Sequence, residues 1–125
     1  MCLRGISGIF FACIVAVALL LAQSVMAVDP GPVEPEAAKT MIQQQKDLLV
    51  LDVRNPNEFV VAHYPGALNI PVNELETRFS EVPAGRPVLM HCGIGRRANR
   101  GYEILKEKRP DIKELYYIKG EPIFN

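Results

Sequence analysis

Pro87-Val88-Leu89-Met90-His91-Cys92-Gly93-Ile94-Gly95-Arg96-Arg97-Ala98 joins a short apolar run to a turn rich in glycine and arginine, and an amphipathic stretch continues to Arg109. A continuous apolar run of this length marks a strand covered on both faces. The stretch from Ala98 to Arg109 is long enough for a helix, so the segment predicts a strand, a tight loop and a helix in succession. In open α/β sheets, ligands bind beyond the carboxyl ends of the strands, where each chain turns towards its next helix. Cys92 stands at that edge.

The pattern repeats on both sides of this unit. Leu48 to Leu51 and Ala67 to Ile70 read as buried strands before it, and Leu115 to Ile118 as one after it. Between them lie helix starts. Pro35-Glu36 suits the first turn, since proline fits the first helical position and an acid favours the dipole there. Asn55-Pro56-Asn57-Glu58 has a cap, a proline at the first position and an acid three residues after the cap. Asn73 with Glu76 repeats the spacing. Tyr64-Pro65-Gly66 and Pro83-Ala84-Gly85 are turns. Strands alternating with helices predict an α/β fold: a mainly parallel sheet of four to five strands flanked by helices on both faces.

The N-terminal part is different in kind. Nothing charged stands between Arg4 and Asp29, and a dense apolar stretch runs from Ile9 to Ala22 before Val25-Met26-Ala27. A basic start, an apolar middle and a small residue at the cut describe a secretory signal peptide over 1–27, either cleaved after Ala27 or retained as an anchor. In both cases the rest of the chain is expected on the far side of the membrane, periplasmic or otherwise exported. Residues 28–34, rich in proline and glycine, read as a linker, and 35–125 as a single domain with one core.

Charge is balanced, with 14 Lys and Arg against 14 Asp and Glu. That balance excludes a nucleic-acid binder held by a basic field. Of the three cysteines, Cys2 and Cys13 fall in the leader, so Cys92 has no intramolecular partner. The domain must stand on its core without a disulfide. A lone thiol in an oxidising compartment is a liability unless it is buried or used.

The chemistry expected at Cys92 follows from its loop. If residues 93 to 97 curl round the sulfur, their N–H groups converge on it and the following helix adds its positive dipole end. Such surroundings stabilise a thiolate. Gly93 and Gly95 permit the backbone angles of the curl, Ile94 sits between them, and Arg96 and Arg97 bring donors for an oxyanion. Arg97 is expected to close the loop, whereas a solvated position explains Arg96 equally well. Arg100 is expected at the surface.

Leu49-Val50-Leu51-Asp52-Val53-Arg54, Glu58-Phe59, Ala62-His63-Tyr64-Pro65-Gly66-Ala67-Leu68-Asn69-Ile70-Pro71 and His91-Cys92 with Gly95 and Arg97 occur in this order. Together they resemble the rhodanese domain from about Pro35 to Gly120. The resemblance implies a sulfurtransferase without metal or organic cofactor, acting on a small-molecule sulfur donor and acceptor such as thiosulfate and cyanide or a thiol. Cys92 would take the outer sulfur of thiosulfate as a persulfide and pass it on, a two-step covalent exchange. Membrane contact is expected only through a retained leader. Related phosphatase-type domains place the closing arginine six positions after the cysteine, where this chain has Ala98; Arg97 at five favours sulfur over phosphorus. Arsenate reduction would further need a resolving cysteine. A persulfide carrier with little turnover, and an inactive relative kept as an interaction domain, are the other readings.

Asp52 and Arg54 belong to the resemblance but are read as a structural ion pair or cap, with Glu58 as a partner for Arg54. His63 and His91 are read as packing residues, a proton-transfer role for His63 being the alternative. The family's usual glycine pair after the last strand is Gly120-Glu121 here, and no tryptophan follows. A closing helix is therefore not expected, and one flank of the loop should be less well covered.

Overall fold

In the computed structural model, residues 28–125 are described; the signal-peptide expectation at 1–27 lies outside them. Among them five strands form one sheet: β1 (Gly31–Val33), β2 (Leu49–Asp52), β3 (Leu68–Asn69), β4 (Val88–His91) and β5 (Leu115–Ile118). Their spatial order is β1-β5-β4-β2-β3, and every pairing is parallel. The α/β expectation holds. The stretch 28–34 is more than a linker, because Gly31–Val33 pairs with Tyr116–Ile118 and closes that edge of the sheet.

Among the described residues four helices cover the sheet, α1 (Pro35–Gln44), α2 (Pro56–Val61), α3 (Val72–Arg78) and α4 (Arg96–Lys108), with a 3-10 turn at Phe79–Glu81. Side chains alternate along each strand, so neighbouring residues enter different cores. Leu49, Leu51, Val88, Met90 and Leu115 join Leu75, Ala98, Ile104 and Leu105 of α3 and α4 on one face. Leu89, Tyr116 and Ile118 meet Ala38 and Met41 of α1 on the other. Central strand β4 is buried at all four positions, as its unbroken apolar run predicts.

Helix starts follow local chemistry in part. Proline opens both α1 and α2. At α2 the N–H of Asn55 donates to Glu58 Oε2 at 3.0 Å, the expected reciprocal cap. At α3 the expected Asn73 cap is not used: the helix starts at Val72 after Pro71, whose carbonyl accepts from Glu74 N–H at 2.8 Å. Val72 is buried in the core and donates to Val53 O, so packing sets this boundary one residue early. Helix α4 likewise begins at Arg96, two residues before the expected Ala98.

Candidate functional site

The loop between β4 and α4 is short. Cys92 follows β4 directly, Gly93 to Gly95 make the turn, and Arg96 is already helical. Gly95 caps α4 with φ +98°, a left-handed conformation that glycine adopts at no steric cost. This turn aims the N–H of Gly95 at Cys92 Sγ, 3.0 Å away. Among the described residues it is the one amide of 93 to 97 hydrogen-bonded to the sulfur, where the sequence predicts that several converge, because Arg96 and Arg97 are already helical. The first intrahelical bond of α4 is Asn99 N–H to Gly95 O at 2.9 Å. Earlier amides in the first turn have no acceptor in the helix, so its positive end lies beside the sulfur. Cys92 itself is fully buried and packs with the core on the α3/α4 face.

The two loop arginines diverge. Arg97 donates from Nη1 to Glu58 Oε2 at 2.8 Å and from Nη2 to Glu58 Oε1 at 2.9 Å, a bidentate pair across 39 residues. These bonds raise the pKa of Arg97, and the neighbouring Cys92 adds to the effect. They hold Glu58 down at about 2. Glu58 thus belongs to Arg97 and not, as expected from the sequence, to Arg54. Arg96 is exposed and lines a shallow pocket of about 250 Å³ with Ile94, Asn99, Tyr117 and Lys119. Ile94, at the tip of the loop, is two-thirds exposed. Arg100 is at the surface, with Nη1 3.5 Å from Asn73 Oδ1.

Asp52 and Arg54 form the buried ion pair expected of them. Arg54 Nη2 to Asp52 Oδ2 is 2.7 Å, Nε lies 3.0 Å from Oδ1, and the backbone N–H of Arg54 reaches Oδ1 at 2.9 Å. A further bond from Nη2 to Ala62 O, 2.6 Å, ties the end of α2 to the same group. His63 is exposed; its ring stacks on Phe59 at 3.8 Å and Nδ1 lies 2.7 Å from Phe59 O. That position fits the packing reading.

His91, opposite Asp52 in the β2/β4 register, is completely buried. Burial pushes its pKa below the ordinary histidine value, although Asp52 pulls the other way. Its Nε2 is 3.6 Å from Asp52 Oδ2 and has no hydrogen-bond partner among the described residues. The flank expected to be less covered is occupied by Phe124. Its ring packs against Tyr64 at 4.9 Å and His91 at 5.7 Å, and the Arg54 guanidinium lies 5.1 Å from its centre. Tyr64 Oη accepts the N–H of Ile123 at 2.9 Å, which fastens this segment. The place of Phe124 is not legible in the sequence, because residues 121–125 carry no periodic pattern.

The described residues thus form a parallel α/β domain whose one cysteine follows the central strand, with an amide 3.0 Å from its sulfur and a carboxylate-held arginine on the same loop. Residues 34–120 match the rhodanese-like domain family. The chain belongs to that family, which includes sulfurtransferases. Among curated proteins it is similar to the uncharacterized protein YqhL of Bacillus subtilis, 37% identical over 71 residues, covering 57% of this chain and 55% of YqhL. It is also similar to the thiosulfate sulfurtransferase PspE of Escherichia coli, 34% identical over 59 residues, covering 46% of this chain and 57% of PspE. The chain thus spans little more than half the length of these two relatives. Among solved structures, the rhodanese-like domain of the Anabaena protein Alr3790 aligns over 75% of this chain and 70% of its own, with a TM-score of 0.63 at 17% identity. That likeness concerns the fold alone.

Proposed function

We propose that this protein is a sulfurtransferase that carries sulfane sulfur on Cys92, from thiosulfate or a related donor to cyanide or a small thiol. The Cys92 thiolate attacks the outer sulfur of thiosulfate; the S–S bond of the donor breaks, sulfite leaves with the electron pair, and a Cys92 persulfide anion remains. Cyanide then takes the terminal sulfur as thiocyanate and restores the thiolate. Both steps balance without an oxidant. One observation carries the reading: the Gly95 N–H, 3.0 Å from Cys92 Sγ, is placed to stabilise negative charge at that sulfur. Gly93, Ile94 and Gly95 form the loop, Arg97 supplies the cation, and Arg96 remains free to attract an anionic donor at the rim. Asp52 and Arg54 form a structural pair at the end of β2, and His63 takes no part.

Burial of the sulfur supports a second reading, a persulfide carrier with little turnover, since a fully buried Cys92 is poorly open to bulky acceptors. The apolar leader supports an exported location for either. Thiosulfate:cyanide turnover by the full chain, with Cys92→Ala as the blank, separates the readings, and mass spectrometry after thiosulfate treatment should show one added sulfur on Cys92. Turnover equal in the two proteins would sink the enzymatic reading. Absence of the added mass would sink both. Fractionation of cells with intact-mass measurement tests export and cleavage after Ala27.

A further inference from the structure

Arginine side chains are long and flexible, and a single one beside a reacting sulfur is of little use unless its plane is fixed. Here Arg97 does not fix itself. Both Nη atoms are engaged by the two oxygens of Glu58, at 2.8 and 2.9 Å, and Glu58 is in turn held by the N–H of Asn55 at 3.0 Å. Asn55 follows Arg54, whose backbone and side chain are bound to Asp52 at the end of β2. The start of α2 therefore holds Glu58, and Glu58 holds the guanidinium. The pKa of Arg97 is raised mainly by Glu58, with a smaller contribution from Cys92. The guanidinium also packs on the loop, since a methyl at Gly93 would lie 3.4 Å from Arg97 Nη2.

We propose that Glu58 is a positioning residue: its bidentate carboxylate holds the Arg97 guanidinium against the Cys92 loop, so that a fixed cation faces the sulfur when it becomes anionic. This rests on the sulfur-transfer reading of Cys92. Glu58 touches neither donor nor acceptor and acts through Arg97. A preorganised cation stabilises developing charge without reorganising during the reaction, whereas an arginine left to wander loses that advantage. Lysine at position 97 would not substitute, because a point charge cannot be gripped by two parallel bonds.

The test is a double-mutant cycle in the full chain with Glu58→Gln, Arg97→Gln and the combination, followed by thiosulfate:cyanide turnover and, separately, by the rate of Cys92 alkylation with iodoacetamide at fixed pH. Glu58→Gln should lower kcat/KM roughly tenfold or more, and the double variant should be no slower than Arg97→Gln alone. Alkylation rates should show the same coupling. Multiplicative effects of the two substitutions, or an unchanged rate in folded Glu58→Gln, overturn the proposal. Should Glu58→Gln fail to fold by circular dichroism, Glu58→Asp, which keeps the charge with a shorter reach, takes its place in the cycle with the same criteria. If the unsubstituted protein transfers no sulfur, the sulfur-transfer reading fails on its own; coupling in alkylation then still supports the Glu58–Arg97–Cys92 arrangement, and additive alkylation effects overturn it.

Discussion

A methyl group on Gly95 would lie 2.9 Å from the backbone nitrogen of Gly120 and 3.4 Å from the carbonyl oxygen of Ile118. The Cys92 loop is thus pressed against the backbone of the chain leaving β5, with no side chain at the contact that could move aside. Gly95 also has φ +98°, which an L side chain rarely adopts. The two constraints add. Gly95→Ala is expected to cost about 2–4 kcal/mol and to move the amide off Cys92 Sγ. Urea denaturation should show a clearly lower midpoint, and an unaltered midpoint would contradict the close approach.

His91 makes stability depend on pH below neutrality. Burial lowers its folded pKa from the unfolded value of 6.5, so the unfolded chain takes up a proton that the native protein resists. The stability is therefore fully present above pH 6.5 and declines as the pH falls below it. The urea midpoint of the protein should be lower at pH 5.5 than at pH 7.5. In His91→Gln this part of the dependence should vanish; if the slope is the same in both proteins, another group is responsible.

The Glu58–Arg97 pair should act in a more acidic window. With Glu58 lowered from 4.5 to about 2, its contribution is present above about pH 4.5 and is lost as pH falls towards 2. Both side chains are about a third exposed, so the amount is at most about 1 kcal/mol after solvent screening. Thermal denaturation of the protein and of Arg97→Gln should differ at pH 6 and converge near pH 2. A constant gap across this range would argue that the pair contributes nothing to folding.

Asp52→Ala strands the Arg54 cation, which is 8% exposed and tied to Ala62 O. Removing one partner of a buried pair costs about 3–5 kcal/mol. The loss should be seen in the urea midpoint, while sulfur transfer per folded molecule stays within a few-fold of the parent. A collapse of turnover with intact stability would make Asp52 a participant in the chemistry.

Much of this architecture was readable along the chain. The run Val88–His91, the glycine turn and the helix after it are local patterns, and so is the Asn55-Pro56-Glu58 start of α2. The edge strand Gly31–Val33 was not, because three residues containing proline carry no periodicity and become a strand only by pairing with β5. The start of α3 escaped for a different reason: burial of Val72 and its bond to Val53 O outweighed the cap offered by Asn73. Proximity in sequence pairs Glu58 with Arg54. Arg54, however, is already engaged by Asp52 two residues away, which leaves Glu58 for Arg97.

By itself the sequence determined the strand, loop and helix unit, the family, the lone cysteine at the sheet's carboxyl edge and the glycine that its turn requires, since periodicity, caps and left-handed turns are properties of neighbours in the chain. Only the tertiary structure decided which charges meet, that Phe124 covers His91, and that Cys92 lies wholly out of solvent. Coulomb attraction, desolvation and packing act through space, and the distances they depend on exist only once β2, β4 and α2 have been brought together.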